Sequence, residues 1–159
     1  MTGQNNYAEQ QLEQHLTAID NFLSLCNASF SGFQEEYKEA ASLNLNDLND
    51  MTQKQLFNAS YVLHGYSSYL QDQVNKQRIV LNWANGQLDY LLAKHRDDYG
   101  FTQYTKHEAK IPIICVENSY ASKVMEVKQM AEARLTSLDG KIYETKRMAD
   151  VLLEKAKRI

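Results

Sequence analysis

One proline and six glycines in 159 residues leave this chain almost nothing with which to break a helix or turn a strand. Glycine and proline are the strongest local punctuators, so a chain poor in both has few connections and long elements. The apolar pattern agrees. Leu12, Leu16, Ile19, Leu23 and Cys26 recur at three and four residues, one face of an amphipathic helix. Its continuation through FSGFQEEYKEA is weaker, with Gly32 the expected break, and SLNLNDLNDMT reads as a linker of caps without a sustained face.

A second stretch runs from about Thr52 to His95 on the stripe Leu56, Ala59, Leu63, Tyr66, Leu70, Val74, Gln77, Leu81, Ala84, Leu88 and Leu91. Its spacing alternates three and four, with a stutter where Leu70 is followed by Val74. At the helical rise this element is about 65 Å long, more than a compact domain of this size is wide. A third stretch starts at Asn118, a good N-cap, and carries Tyr120, Val124, Val127, Ala131, Leu135, Leu138, Ile142, Ala149, Leu152, Ala156 and Ile159 on one seam. Only IPIICV is open to another reading, as a short helix or an extended corner around its proline.

The fold class expected is all-α: long helices with coiled-coil-like seams. The seam ending in Leu152, Ala156 and Ile159 is expected to outrun any partner within the chain. That predicts a helical homo-oligomer assembled through the C-terminal helix. Residues 1–48 read as an acidic N-terminal helical segment with its linker, and 49–159 as the helical core.

Charge divides the chain unequally. Residues 1–72 carry two basic residues, Lys38 and Lys54, against nine acidic ones, a net of −7, whereas residues 73–159 carry fifteen against eleven, a net of +4. An acidic half joined to a basic half suggests that one part faces an anion or an acidic partner; two solvated helix faces would look the same. No apolar run approaches the length of a membrane span, the polar start MTGQNNYAEQQ does not read as a signal peptide, and Cys26 and Cys115 read as small hydrophobes of a reducing cytoplasm.

Catalytic chemistry finds little footing. There is no glycine-rich phosphate loop, no paired-cysteine ligand set and no His-x-x-x-His pair; His15, His64, His95 and His107 are scattered. The expectation is a protein that is not an enzyme and holds no metal or cofactor. The basic residues are more informative. Lys76 and Arg78 lie on the second helix, Lys94 and Arg96 end it, and Lys106 and Lys110 follow, with Tyr99, Phe101 and Tyr104 interleaved. Cations that track phosphates beside aromatic faces that accept unstacked bases are what single-stranded nucleic acid requires. The structural alternative is that Lys94 and Arg96 only complement a helix C-terminus while the aromatics pack inward. Within YTKHEAK, Thr105 and Glu108 have the spacing of a capping box, which leaves Tyr104, Lys106 and Lys110 unexplained. Lysines in a first turn oppose the helix dipole.

LDY at Leu88 to Tyr90, thirteen intervening residues, then Tyr104, Lys106, Glu108 and Lys110 as Tyr-x-Lys-x-Glu-x-Lys resembles the middle of the UvsY family of phage recombination mediators. The resemblance covers about residues 55–155, with a long helical segment on either side of the motif. It implies a small helical protein that forms a ring-like homo-oligomer and binds single-stranded DNA. It also implies a role in recombination and repair: loading a RecA-like recombinase onto strands covered by single-strand-binding protein, in the cytoplasm of the host cell if the chain is phage-encoded. Two departures stand out. The basic family positions just ahead of LDY are Asn85 and Gln87 here, and the C-terminal glycine-containing segment is replaced by LLEKAKRI. The alternative expectation is a helical coiled-coil scaffold or adaptor without nucleic-acid affinity, which the seams alone would support.

Overall fold

The computed structural model describes residues 2–26 and 34–159, so the expected break at Gly32 and the side chains of Leu23 and Cys26 lie outside what is described. Six helices form among the described residues, and no strand: α1 Thr2–Cys26, α2 Gln34–Ala41, α3 Leu45–Asp50, α4 Gln53–Lys94, α5 His107–Glu117 and α6 Ser119–Lys157. The chain is all-α. None of these helices is long and apolar enough to cross a membrane.

The helices form two compact units. The first joins α1 to Lys76–Arg134, and the second joins α2, α3 and the early part of α4 to Leu135–Ile159. This partition cuts across a boundary after residue 48, since α1 groups with Lys76–Arg134 while α2 and α3 group with Leu135–Ile159. In the first unit Leu12 of α1 is buried with Ala84, Leu88, Leu91 and Leu92 of α4, Ile114 of α5, and Ala121 and Val124 of α6. IPIICV is helical, within α5, with Pro112 inside the helix. Asn118 ends α5 through its backbone N–H to the Ile114 carbonyl, and its side chain accepts the Ala121 N–H at 3.1 Å to start α6.

The second unit has two apolar clusters. One holds Ala40, Leu56, Leu63, Ala149, Leu152 and Ala156, the other Leu70, Val74 and Ile142. Leu152 and Ala156 are therefore covered within the chain, and the expectation that this seam outruns its partner is corrected; Ile159 alone among its last residues stays open, at 68% exposed. The reason is that α4, at 42 residues, is long enough to meet α6, at 39. Cross-links fix their register in this unit: the Ser60 hydroxyl donates to the Ala149 carbonyl at 2.8 Å, and the Gln53 side-chain amide to the Ala156 carbonyl at 3.0 Å.

The stutter after Leu70 is also absent. Ser60 and Ser67 are buried where the apolar stripe had Ala59 and Tyr66, so the four-three alternation runs on through Leu63, Leu70, Val74 and Gln77. Thr145 likewise fills the step between Ile142 and Ala149, with its hydroxyl donating to the Lys141 carbonyl at 2.7 Å. A small hydroxyl is tolerated in a seam once it is hydrogen-bonded, but it is invisible to an apolar count.

The asparagine-rich linker proves to hold a helix. Asn44 accepts the N–H groups of Asn46 and Asp47 while Asp47 accepts that of Asn44, a complete capping box for α3. A second one opens α4: the Thr52 hydroxyl accepts the Gln55 N–H, and the Gln55 side chain accepts the Thr52 N–H. Tyr37 fastens α2 by stacking on Tyr66 of α4, ring centroids 3.5 Å apart and 13° from parallel, with the Lys141 ammonium 5.8 Å above the Tyr37 ring.

Candidate nucleic-acid interface

The connection between α4 and α5 lies in the first unit and carries five of the nine residues singled out in the sequence, with Lys94 at the end of α4 and Lys110 in the first turn of α5 on either side of it. Lys94 is the basic residue of the last turn of α4, and Lys94 and Arg96 are both exposed. The chain then turns tightly: the Asp98 N–H meets the His95 carbonyl at 3.1 Å, and the Asp98 carboxylate lies 2.7 Å from His95 Nδ1. Gly100, at φ 67°, supplies the left-handed residue that the reversal requires.

The three aromatics divide. Tyr99 and Phe101 are half-buried against the first unit's core and meet edge to face at 5.9 Å, and Tyr99 also touches the His95 ring at 5.4 Å. They anchor the loop. Tyr104 is 84% exposed and has its ring free for a ligand. The lysines divide in the same way: Lys106 is exposed, whereas the Lys110 ammonium lies 5.6 Å over the Phe101 ring.

The capping box expected from Thr105 and Glu108 is corrected. The Thr105 hydroxyl faces back into the preceding turn, accepting the Thr102 N–H at 3.0 Å, and so cannot serve the start of α5. Lys106 takes the N-cap position with extended backbone, φ −65° and ψ 146°, and without a side-chain cap. A different contact ties the start of α5 to α4, His107 Nε2 lying 3.5 Å from the Asp89 carboxylate. Two of the carboxylates near the loop, Asp89 and Asp98, are thus each engaged by a histidine.

Lys76 and Arg78 sit further back along α4. Lys76 is committed to an ion pair of 2.6 Å with Asp20 of α1, whereas Arg78 is exposed. Tyr90 was quoted in the sequence only as part of a motif, yet it is 59% exposed on α4 one turn before Lys94. Its position opposite the buried Leu88, Leu91 and Leu92 was the available signal. Of the remaining histidines with polar contacts, His64 meets Asp150 at 3.6 Å. No group of three His, Cys, Asp or Glu able to hold a metal ion occurs among the described residues. Burial pushes the Cys115 thiol up, away from the reactive thiolate.

Comparison of the chain with protein-family models, with curated proteins and with solved structures finds no match.

Proposed function

We propose that this protein is a non-enzymatic recombination mediator that binds single-stranded DNA through the α4–α5 connection. One observation carries the reading: Tyr104, Lys94, Arg96 and Lys106 all face solvent on a loop that is itself anchored, by Tyr99 and Phe101, to a packed core. Phosphates are met by mobile cations and a base by an open ring, on a support that does not have to be ordered on binding. The resemblance of the Tyr104-x-Lys106-x-Glu108-x-Lys110 run to the UvsY family supplies the biological setting. In that setting the chain loads a RecA-like recombinase onto strands covered by single-strand-binding protein, in the cytoplasm, which is the host cell's if the chain is phage-encoded.

A homo-oligomer belongs to this reading. The connection is only mildly basic, since Asp97, Asp98 and Glu108 accompany Lys94, Arg96, Lys106 and Lys110. Several such sites on one ring multiply through effective concentration, so no subunit needs a strongly basic face. Tyr143 and Val151, exposed on α6, offer apolar area for self-association through the C-terminal helix and a coiled-coil contact between copies.

Fluorescence anisotropy with a labelled oligonucleotide at two salt concentrations tests the reading. Binding that weakens steeply with salt is expected; no binding at low salt contradicts it. A helical scaffold without nucleic-acid affinity is the second reading. It is favoured by the inward packing of Tyr99 and Phe101 and by the pairing of Lys76 with Asp20.

A further inference from the structure

Gly86 lies in the interior of α4, where glycine lowers helix stability relative to alanine. Close packing does not explain it, since a Cβ built at Gly86 meets nothing within 4 Å. A turn does not either, because the helix continues through it for two more turns. Its helical neighbours are more informative. Tyr90 stands four residues on, exposed, with Ala93 and Lys94 three and four residues beyond that. A helical side chain leans over the turn N-terminal to its own Cα, which for Tyr90 is the turn holding Gly86. Gly86 and Ala93 put no bulk beside the ring, the Gln87 side chain three residues back accepts the Tyr120 hydroxyl at 3.2 Å, and Lys94 places a cation one turn away.

We infer that Tyr90, with its faces kept open by Gly86 and Ala93, is a second base-stacking platform, and that Lys94 holds the adjoining phosphate. The ligand class is an unpaired base of single-stranded nucleic acid. The inference rests on the nucleic-acid reading above and extends it from the connection onto the last turns of α4. The His107–Asp89 contact joins the two parts, since Asp89 adjoins Tyr90 and His107 adjoins Lys106. A strand would then run from Tyr90 and Lys94 toward Lys106 and Tyr104.

The test uses the intact protein and two labelled single strands, one ordinary and one with abasic positions. Tyr90→Ala should weaken binding of the ordinary strand about tenfold without changing the salt slope, because a stacked ring releases no counterions. Tyr90→Phe should bind as the parent does. Gly86→Leu, which covers the ring while leaving Tyr90 in place, should reproduce much of the Tyr90→Ala loss, and Gly86→Ala should not. The parent's preference for the ordinary over the abasic strand should shrink in Tyr90→Ala. Circular dichroism confirms that each exposed substitution leaves the helices intact. Equal binding by Tyr90→Ala and the parent overturns the inference and leaves the nucleic-acid reading standing. A Tyr90→Phe loss as large as that of Tyr90→Ala also overturns it, since the hydroxyl would then matter and the ring would not. No binding of either strand by the parent overturns the nucleic-acid reading itself.

Discussion

Gln77 is 8% exposed in the buried seam of α4, and its side-chain carbonyl oxygen has no hydrogen-bond partner among the described residues. A buried acceptor left unsatisfied costs about 1–3 kcal/mol. Gln77→Leu, close in volume and without the amide, should therefore raise stability by about 1 kcal/mol in urea denaturation; a loss of stability would show that the amide has a partner. Ser60→Ala should act oppositely, losing about 1 kcal/mol with the hydrogen bond to the Ala149 carbonyl. These positions also mark what the sequence could show. Leu56, Leu63, Leu70 and Leu88 were legible because apolar side chains at helical spacing are buried on one face. Ser60 and Thr145 were not, because a hydroxyl becomes compatible with burial only through a partner, here one far along the chain and one a turn back. Thr105 misled for a related reason. The capping-box spacing was present, but Thr102 competes for the same hydroxyl.

The two long helices, α4 and α6, were readable to within a residue or two from breaker scarcity and periodicity. Short elements were harder. α3 is specified by Asn44 and Asp47 acting as a pair, and the same residues describe a linker when counted singly. The grouping of α1 was hidden as well, because its acidic surface reports on solvent and Leu12 reports on packing. Leu12→Ala should lower stability by about 2–4 kcal/mol, as expected for a buried leucine. A neutral effect would mean that α1 is an appendage after all. The docking of α2 has a pH signature. Burial first, then the neighbouring Tyr37, holds the Tyr66 phenol above its ordinary range, and a hydrogen bond to Tyr37 does the same for the Lys141 ammonium. Both groups hold their protons more tightly in the folded state. Their contribution is therefore complete below the unfolded values, about 10 for a phenol and ~10.4 for an amine, and is lost as pH rises through the folded ones. Thermal unfolding followed across this alkaline window should show stability falling, and Tyr37→Ala should flatten the fall.

At the scale of the molecule, an acidic first half and a basic second half were plain in the sequence, as was the absence of a strongly basic surface. What composition could not convey is how the nine candidate residues divide. Tyr99, Phe101 and Lys110 support the loop, Lys76 is held by Asp20, and Arg78, Lys94, Arg96, Tyr104 and Lys106 are left facing solvent. That division depends on which side chains reach the core, a property of the fold and not of the spacing. It also says which substitutions are informative. Lys110→Ala would disturb the Phe101 contact along with any phosphate, whereas Lys94 and Lys106 can be removed without touching the support. If these exposed cations bind a single strand, their removal should show both in affinity and in its dependence on salt. The most direct measurement is the salt dependence of oligonucleotide affinity for the parent and for Lys94→Ala/Lys106→Ala. Each phosphate contact on a single strand contributes about 0.7 to the slope of log K against log salt, so the double variant should bind more weakly and lose about 1.4 from that slope. Unchanged affinity and unchanged slope would rule out these cations as the binding site and leave a helical scaffold in its place.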